Sequence, residues 1–487
     1  MNASMIIYIL GHVLRIEGIF MLMPALMGLI YQEKNGWVFL FMAAGLFLLG
    51  FLLSFKKPKN TTIYLKEGCV ITALSWIMMS FFGCLPFYIT KEIPSLLDAF
   101  FETVSGFTTT GASILPDPEA LCHATQFWRC FTHWVGGMGV LVFLLAIIPM
   151  SGGSNINLMR AESPGPSVGK LVPKMRQTAA LLYLIYFFLT ILEVFFLVLG
   201  KMPVFDSVCT SFATAGTGGF GVYRNSFAGQ SDYLQWVVTI FMIFFGVNFN
   251  FYFLLLYRYF KKAFKMSEVR AYLFIILGTT LLISANSFQL FNDLPDTFRH
   301  AAFQVASIIT TTGFASNDFN LWPEPSKVLL VVLMFVGACA GSTGGGIKVS
   351  RFMILIKSIK KELKSYVHPK SVSKLSMDGS PIEHEVVRSV NVFFITFMIL
   401  FTASVFFVSF DNKGMITSFT AVAATINNIG PGLELVGPTQ NYAGFSPLAK
   451  IVLCFDMLAG RLELFPMLML FNPKLYHTKP FYTHKIK

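Results

Sequence analysis

Charged residues are scarce in this chain of 487 residues. Asp, Glu, Lys and Arg together make up 13% of the sequence, whereas about 25% is usual for a soluble domain. Hydrophobic residues make up 55%, and phenylalanine alone occupies 53 positions. Soluble, disordered, collagen-like and coiled-coil classes are excluded, because the chain is apolar throughout and lacks the periods that fibrous proteins need. The composition predicts a membrane protein.

Cysteine is also rare, with seven residues scattered mostly along apolar stretches and no CxxC pair. Such an odd, dispersed set argues against a disulfide framework or a zinc site. Segment 383–385 reads Glu-His-Glu, but it lacks HExxH spacing and lies in a basic segment, so we interpret it as a solvated loop. No catalytic residue is predicted, and a polytopic membrane enzyme or an inert scaffold remains only as an alternative from another class.

Long apolar stretches follow one another in a regular order. Stretches near 20 residues, the length that crosses roughly 30 Å of hydrocarbon, are predicted at about 5–30 and 37–55. Four further spans are predicted near 69–90, 178–200, 271–291 and 387–410. Each of these four precedes a short segment, a Thr/Gly-rich loop and a second span, and the second spans lie near 126–150, 233–257, 327–357 and 448–471.

The basic residues predict the orientation of the chain. Most of the 37 Lys and Arg residues lie in every second connection, at 56–66, 160–176, 258–270, 348–388 and 474–487. Because Lys and Arg in short loops stay on the cytoplasmic side, both termini are predicted to be cytoplasmic. The formal charge of +12 follows mostly from this topology, and contact with anionic lipid or a cytosolic partner is a further interpretation of the long segment 348–388.

An internal repeat is the most informative feature of the sequence. Four loops align on one glycine each, and these glycines are 108, 94 and 117 residues apart, about the length of two crossings and a dipping loop. The aligned positions are Thr109, Thr110 and Gly111; Thr217, Gly218 and Gly219; Thr311, Thr312 and Gly313; and Asn428, Ile429 and Gly430. Four copies predict a central fourfold axis that holds water, because such backbone cannot face lipid.

The chemistry of these loops predicts a site for a cation. Rings of backbone carbonyl oxygens can replace the hydration shell of an ion, while Thr, Ser or Asn side chains add oxygens or hold the backbone. Asp98 and Asp206 stand thirteen residues before the first two glycines, at the expected start of a short helix. Since no ring of Asp or Glu accompanies the glycines, potassium or sodium is predicted. Ordinary turns between helices are the alternative.

Several motifs resemble those of a known family. They are FETVSGFTTTGA at 101–112, WVGGMGV at 134–140, RAESPGP at 160–166, GACAGSTGGGIK at 337–348, VHPK at 367–370, NNIGPGL at 427–433 and GRLE at 460–463. With this set in this order, the chain resembles the Trk/Ktr/HKT superfamily of cation transporters nearly end to end. The resemblance is strongest to the TrkH-type membrane subunits of bacterial Trk potassium-uptake systems.

The resemblance implies a fold and its partners. The fold is an all-α polytopic membrane protein, with four M1–pore helix–M2 repeats around a pseudo-fourfold pore axis after two extra transmembrane helices. The expected boundaries are 1–60 for the two-helix segment and 61–165, 166–265, 266–380 and 381–487 for the repeats. Also implied are a homodimer, a TrkA-type cytosolic nucleotide-binding regulatory subunit, a location in the bacterial inner membrane, K⁺ as the transported ion and no organic cofactor.

The resemblance also implies roles for individual residues. The four aligned glycines match the filter glycines of the family, where a glycine in the first loop is associated with potassium preference. Repeat two departs from the Thr-rich pattern with Gly216, Thr217 and Gly218. An intramembrane gating loop beneath the filter is implied at Gly341, Ser342, Thr343, Gly344, Gly345 and Gly346, followed by Lys348. A phosphate loop is excluded for this stretch, because Ile347 stands where such a loop needs lysine. Glycines that serve only helix packing are the alternative.

Arg461 is costly within the last span unless it faces the pore or a carboxylate. In the family the matching arginine impedes cations by repulsion, and an ion pair with Asp456 or Glu463 is the alternative. We expect Asn248 and Asn250 to form interhelical hydrogen bonds. For the function as a whole, we predict channel-like potassium uptake. The alternative is a sodium-permeable or cation-coupled (Na⁺ or H⁺) symporter of the same superfamily.

Overall fold

The computed structural model describes residues 1–139, 175–291, 293–369 and 374–475, and this part of the chain is almost entirely helical. Two short antiparallel strands, β1 (Ser376–Met377) and β2 (Ser380–Pro381), form a hairpin in the predicted cytoplasmic segment. The helices of the described part are α1 (Ala3–Ile30), α2 (Asn35–Ser54), α3 (Leu65–Ile89), α4 (Leu96–Phe107), α5 (His123–Met138), α6 (Met175–Leu199), α7 (Val204–Ala215), α8 (Asp232–Gly246), α9 (Phe249–Leu256), α10 (Phe260–Lys265), α11 (Ser267–Phe291), α12 (Leu294–Ile309), α13 (Glu324–Phe335), α14 (Val349–Val367), α15 (His384–Ser409), α16 (Met415–Ile426), α17 (Pro447–Arg461) and α18 (Phe465–Leu470).

Six of these helices are long and apolar enough to cross a membrane: α1, α2, α3, α6, α11 and α15. The bent pair α8 and α9 passes the same test as one interrupted span. These helices match the two initial spans and the four first spans that the sequence predicts. The prediction of an all-α polytopic membrane protein is confirmed, and the chain is a multi-pass membrane protein.

Two of the predicted second spans are interrupted. Between α8 and α9 the chain bends by 90°, because Asn248 begins a new helix by accepting the Asn250 N–H at 2.9 Å. The last span is broken too, since α17 ends at Arg461 and both Glu463 and Leu464 have positive φ, at 58° and 67°. Each of the predicted second spans at 233–257 and 448–471 therefore consists of two helices and not of one.

The remaining second spans are interrupted or only partly described. The predicted break at the four-glycine stretch is present, because α13 ends at Phe335 and α14 begins at Val349. Helix α14 carries five basic residues of segment 348–388, which are Arg351, Lys357, Lys360, Lys361 and Lys364. Helix α5 forms the start of the predicted span 126–150, and the rest of that span lies outside the described residues, as does the motif at 160–166.

Four shorter helices, α4, α7, α12 and α16, carry the loops that the sequence aligns, and they contain 12, 12, 16 and 12 residues. Asp98 and Asp206 lie in the first turns of α4 and α7, as predicted, where a carboxylate opposes the positive end of the helix dipole. Because 12 to 16 residues rise only about 18–24 Å, these helices are too short to cross roughly 30 Å of hydrocarbon. Their C-termini position the candidate site.

Candidate functional site

The four short helices end in the same hydrogen-bonded cap. In α4, the Thr110 N–H donates to the Ser105 carbonyl at 2.9 Å and the Thr109 N–H donates to Gly106 at 3.1 Å. This is the Schellman pattern, in which the chain leaves the helix through one left-handed residue. The equivalent long bonds run from Gly218 to Ala213, Thr312 to Ser307 and Ile429 to Ala424, each at 2.8 Å.

The left-handed residue of each cap is not a glycine. Thr109, Thr217, Thr311 and Asn428 have φ of 56°, 54°, 59° and 56°. Positive φ is an outlier for the β-branched threonine, and such strain costs about 1–3 kcal/mol at each of the three threonines, whereas asparagine tolerates this conformation. A strained conformation that recurs at three aligned threonines is imposed by the surrounding structure, and strain of this kind concentrates at functional sites.

Two residues further on, the aligned glycines meet one another. Gly111, Gly219, Gly313 and Gly430 all have positive φ, between 78° and 97°. A Cβ atom on any of them would collide with the neighbouring loop: Gly111 with the Gly218 carbonyl oxygen, Gly219 with Thr312, Gly313 with Ile429, and Gly430 with Thr110. The last contact returns to the first loop, so the contacts between the four segments form a closed ring.

A cavity of about 100 Å³ lies against this ring. All four aligned glycines line it, together with Tyr223 and Tyr442 from the outer loops. The Tyr442 hydroxyl donates to the Gly430 carbonyl at 2.7 Å. Burial, with the hydrogen bond to the Asp206 carboxylate, raises the pKa of Tyr223 to about 12, so that this side chain stays neutral. The ring therefore opens to a polar mouth on one side.

Side chains of the ring hold the backbone. Thr108 and Thr110 share a hydroxyl hydrogen bond of 2.8 Å, and Thr310 and Thr312 share one of 2.7 Å. Asn428 donates to the Thr110 hydroxyl and to the Met457 carbonyl, each at 2.9 Å. Of the two roles that the sequence leaves open for these side chains, these bonds correspond to holding the loops in place.

His133 of α5 explains why the second loop departs from the threonine pattern. Its Nδ1 donates to the Gly106 carbonyl at 2.7 Å, and its Nε2 accepts the Phe220 N–H at 3.2 Å, so the imidazole is neutral. A Cβ on Gly218 would overlap the imidazole ring, and one on Gly216 would overlap the His133 carbonyl. The glycines of the second loop make room for a histidine that joins the first and second loops.

A buried ion pair supports the outer side of the first two loops. Arg129 donates to the Glu102 carboxylate at 2.7 Å and to the Gly221 carbonyl at 3.0 Å. The same carboxylate accepts the Ile114 N–H at 2.9 Å. The Arg129 guanidinium also lies over the Phe220 ring, 3.7 Å from its centroid. This arginine therefore joins helix α4 to the second loop.

The four-glycine stretch between α13 and α14 lies directly against the helix ends that form the ring. The Gly345 N–H donates to the Thr311 hydroxyl at 2.7 Å. A Cβ on Gly344 would be 3.0 Å from the Thr310 carbonyl, and one on Gly345 would be 2.6 Å from the Asn427 carbonyl. The glycines thus permit the backbone of this loop to lie close to the backbone at the ends of α12 and α16.

Two basic side chains donate hydrogen bonds to carbonyl oxygens of this loop. Lys348 donates to the carbonyls of Gly344 and Gly345. Arg461 donates to the Thr343 carbonyl at 2.8 Å, and also to Gly136 at 2.6 Å and Gly137 at 2.8 Å. Both basic side chains therefore lie beside the loop, and Arg461 connects the loop to the end of α5.

The two acids that the sequence offers as partners of Arg461 have other partners. Glu463 forms an ion pair with Arg351 of α14. Asp456 accepts the Ser404 hydroxyl at 2.6 Å. Asn248 donates to the Glu268 carboxylate of α11 at 3.5 Å, which agrees with the predicted interhelical hydrogen bonding. Within the described residues, no group of three or more His, Cys, Asp or Glu side chains is placed to hold a metal ion.

Sequence reasoning missed three residues that organise this site: His133, Glu102 and Glu268. All three are buried polar groups in apolar helices, which is a signal that the sequence contains. The partners of His133 and Glu268 are backbone groups remote in sequence, and Glu102 pairs with the side chain of Arg129, so no local spacing reveals these contacts.

Comparison with known proteins agrees with this arrangement. Residues 37–479 match the model of the TrkH family, described as cation transport protein. The Trk system potassium uptake protein TrkH of Salmonella typhimurium is 36% identical over 466 residues, covering 94% of this chain and 95% of the relative. The Trk system potassium uptake protein TrkG of Escherichia coli is 34% identical and covers 97% and 99%.

A solved structure is similar over nearly the whole chain. The crystal structure of the potassium transporter TrkH from Vibrio parahaemolyticus has a TM-score of 0.88 and 33% sequence identity, covering 98% of this chain and all of that one. The family match, the relatives and the shared fold agree. The chain belongs to the TrkH family of cation transport proteins.

Proposed function

We propose that this protein is a channel-like potassium uptake subunit, in which K⁺ moves down its electrochemical gradient through the ring of carbonyl oxygens at Thr110, Gly218, Thr312 and Ile429. The observation that carries the proposal is the closed ring of glycine contacts, in which each glycine packs against a carbonyl oxygen of the neighbouring loop. A ring of carbonyls can replace the hydration shell of a cation. The similar proteins are named as potassium uptake proteins.

Electrostatics favour a monovalent cation at this ring. Four short helices direct their C-termini, each with a partial negative charge, at the same point. The residues of the ring itself are Thr, Gly, Asn and Ile, so no carboxylate supplies the charge that a divalent ion needs. The alignment of the loops also supports the proposed division of the chain into a two-helix segment and four repeats.

The loop between α13 and α14 is the proposed gate. It lies against the inner side of the ring, and the guanidinium of Arg461 beside it repels cations. In the proposed cycle the loop and Arg461 move aside when a cytosolic nucleotide-binding regulatory subunit acts on the basic helix α14, which continues from the loop. We also propose that the protein forms a homodimer in the bacterial inner membrane and that both of its termini are cytoplasmic.

Flux through the purified protein in lipid vesicles tests the proposal. We expect the wild type to take up rubidium, a potassium analogue, and Gly313→Leu to abolish uptake while the protein elutes as folded material. Gly278→Leu in α11 is the matched control, because a Cβ at Gly278 meets nothing within 4 Å. Equal uptake by Gly313→Leu and the wild type would reject the assignment. Competition by sodium as strong as that by potassium would favour a sodium-permeable transporter.

A further inference from the structure

One buried carboxylate holds both ends of the loop between α13 and α14. Glu268 lies in the first turn of α11, and 3% of its surface is exposed. Its Oε1 accepts the Ala340 N–H at 2.7 Å and the Ser350 N–H at 3.2 Å. Ala340 precedes the four glycines and Ser350 follows them, so a single oxygen atom joins the two ends of the loop.

A second contact strengthens this arrangement from α9. Asn248 donates to Oε2 of Glu268 at 3.5 Å, and the neighbouring Phe249 N–H donates to the Gly341 carbonyl at 3.0 Å. The bend between α8 and α9 therefore brings backbone and side chain to the same end of the loop. Glu268 is fixed on one side by its own helix and on the other by Asn248.

The glutamate at the corresponding place of the first repeat does something different. Glu67 lies in the first turn of α3, 44 residues before Gly111, while Glu268 lies 45 residues before Gly313. Both side chains are 3% exposed. Glu67 accepts the Tyr64 N–H at 3.1 Å and so caps its own helix. In the third repeat, the carboxylate reaches the intramembrane loop instead.

We propose that Glu268 is a positioning residue that holds the loop in its blocking position, and that opening requires its bonds to Ala340 and Ser350 to break. The inference rests on the proposed gate function of the loop. A side-chain oxygen that accepts two backbone N–H groups satisfies both donors, and buried N–H groups are costly to leave unpaired. Loss of this acceptor shifts the loop toward its released state.

Variants at Glu268 separate hydrogen-bond geometry from charge. Glu268→Ala removes the acceptor, Glu268→Asp keeps the charge but is one methylene too short to reach both N–H groups, and Glu268→Gln keeps the reach and one acceptor oxygen. We expect rubidium flux without the regulatory subunit to rise about tenfold in Glu268→Ala. Glu268→Asp should show an intermediate rise, and Glu268→Gln should stay closest to wild type. The matched control Glu67→Ala should keep wild-type flux per folded protein.

Cys339 supplies a readout that does not depend on flux. Its side chain is fully buried and adjoins Ala340. Labelling of Cys339 by N-ethylmaleimide in vesicles, followed by peptide mass spectrometry, should be faster in Glu268→Ala and Glu268→Asp than in Glu268→Gln, the wild type or Glu67→Ala. If Glu268→Ala does not fold, the comparison of Asp with Gln gives the same test.

Two outcomes would overturn the inference. In one, labelling and flux are equal in all folded variants. In the other, Glu268→Asp behaves as wild type while Glu268→Gln resembles Glu268→Ala, which would mean that charge and not hydrogen-bond reach holds the loop. If the wild type and all variants carry no rubidium, the proposed function fails, and the labelling rates still decide whether Glu268 holds the loop.

Discussion

The Cβ position of Gly430 lies 2.7 Å from the carbonyl oxygen of Thr110, although 320 residues separate the two in sequence. This contact closes the ring, because it joins the fourth loop to the first. A side chain at any of the four glycines therefore displaces a carbonyl of its neighbour. The ring cannot be altered at one position without a change at the next, and this coupling determines what the variants below should do.

Gly111→Ala should lower the selectivity for potassium over sodium. The new methyl group would overlap the Gly218 carbonyl oxygen, and alanine at a φ of 79° adds strain of about 1–2 kcal/mol. Rubidium uptake in vesicles with sodium or potassium as competitor measures the change. Gly278→Ala serves as the control, and an unchanged competition profile in folded Gly111→Ala would contradict the proposed carbonyl ring.

Arg461→Ala should raise flux, because it removes both a positive charge near the axis and the bonds to Thr343, Gly136 and Gly137. Arg461→Lys should give a smaller increase, since lysine keeps the charge but cannot reproduce the forked geometry. We expect a difference of about tenfold between the alanine variant and wild type, on the scale of one charge-assisted bond. Arg388→Ala, at an exposed position, is the control. A fall in flux with loss of expression would instead assign Arg461 a structural role.

His133→Ala should destabilise the protein and weaken selectivity. It removes the acceptor of the Phe220 N–H and one of the two donors to the Gly106 carbonyl, which keeps the Thr109 N–H, and a buried unpaired group costs about 1–3 kcal/mol. Thermal unfolding of the purified protein measures the first effect and sodium competition the second. A thermal midpoint and a selectivity equal to those of wild type would show that the imidazole does not hold the two loops together.

Glu102 and Arg129 should behave as a coupled pair. Removing one partner leaves a buried charge uncompensated, which costs about 3–5 kcal/mol. Glu102→Gln and Arg129→Gln should therefore each lower the thermal midpoint strongly, and the double variant should cost less than the sum of the two. Additive losses in this double-mutant cycle would argue against a direct interaction.

Much of the fold follows from patterns that are local in sequence. The length of each apolar run predicts the spanning helices, and the four aligned glycines predict the positions where the backbone turns. The four-glycine stretch at 341–346 breaks the helix where the sequence indicates. These features depend only on propensity and on the absence of a side chain.

Other features depend on partners that are remote in sequence. The 90° bend before Asn248 could have been recognised locally, because Gly246 ends α8 and Asn248 caps α9. It was not predicted because both residues lie within an apolar stretch long enough for a single span. His133 and Glu268 are recognised only when the loops that they contact are in place. The bonds of Arg461 to backbone carbonyls could not be predicted either. Every residue has a carbonyl group, so the order of side chains does not indicate which carbonyls the folded chain brings near Arg461.

The most direct test of the carbonyl ring is anomalous diffraction from crystals of the wild type soaked in rubidium or thallium. We predict an anomalous peak on the axis, surrounded by the carbonyl oxygens of Thr110, Gly218, Thr312 and Ile429, and no such peak in Gly430→Ala. Peaks confined to other parts of the molecule, or an axial peak of equal height in Gly430→Ala, would contradict the account.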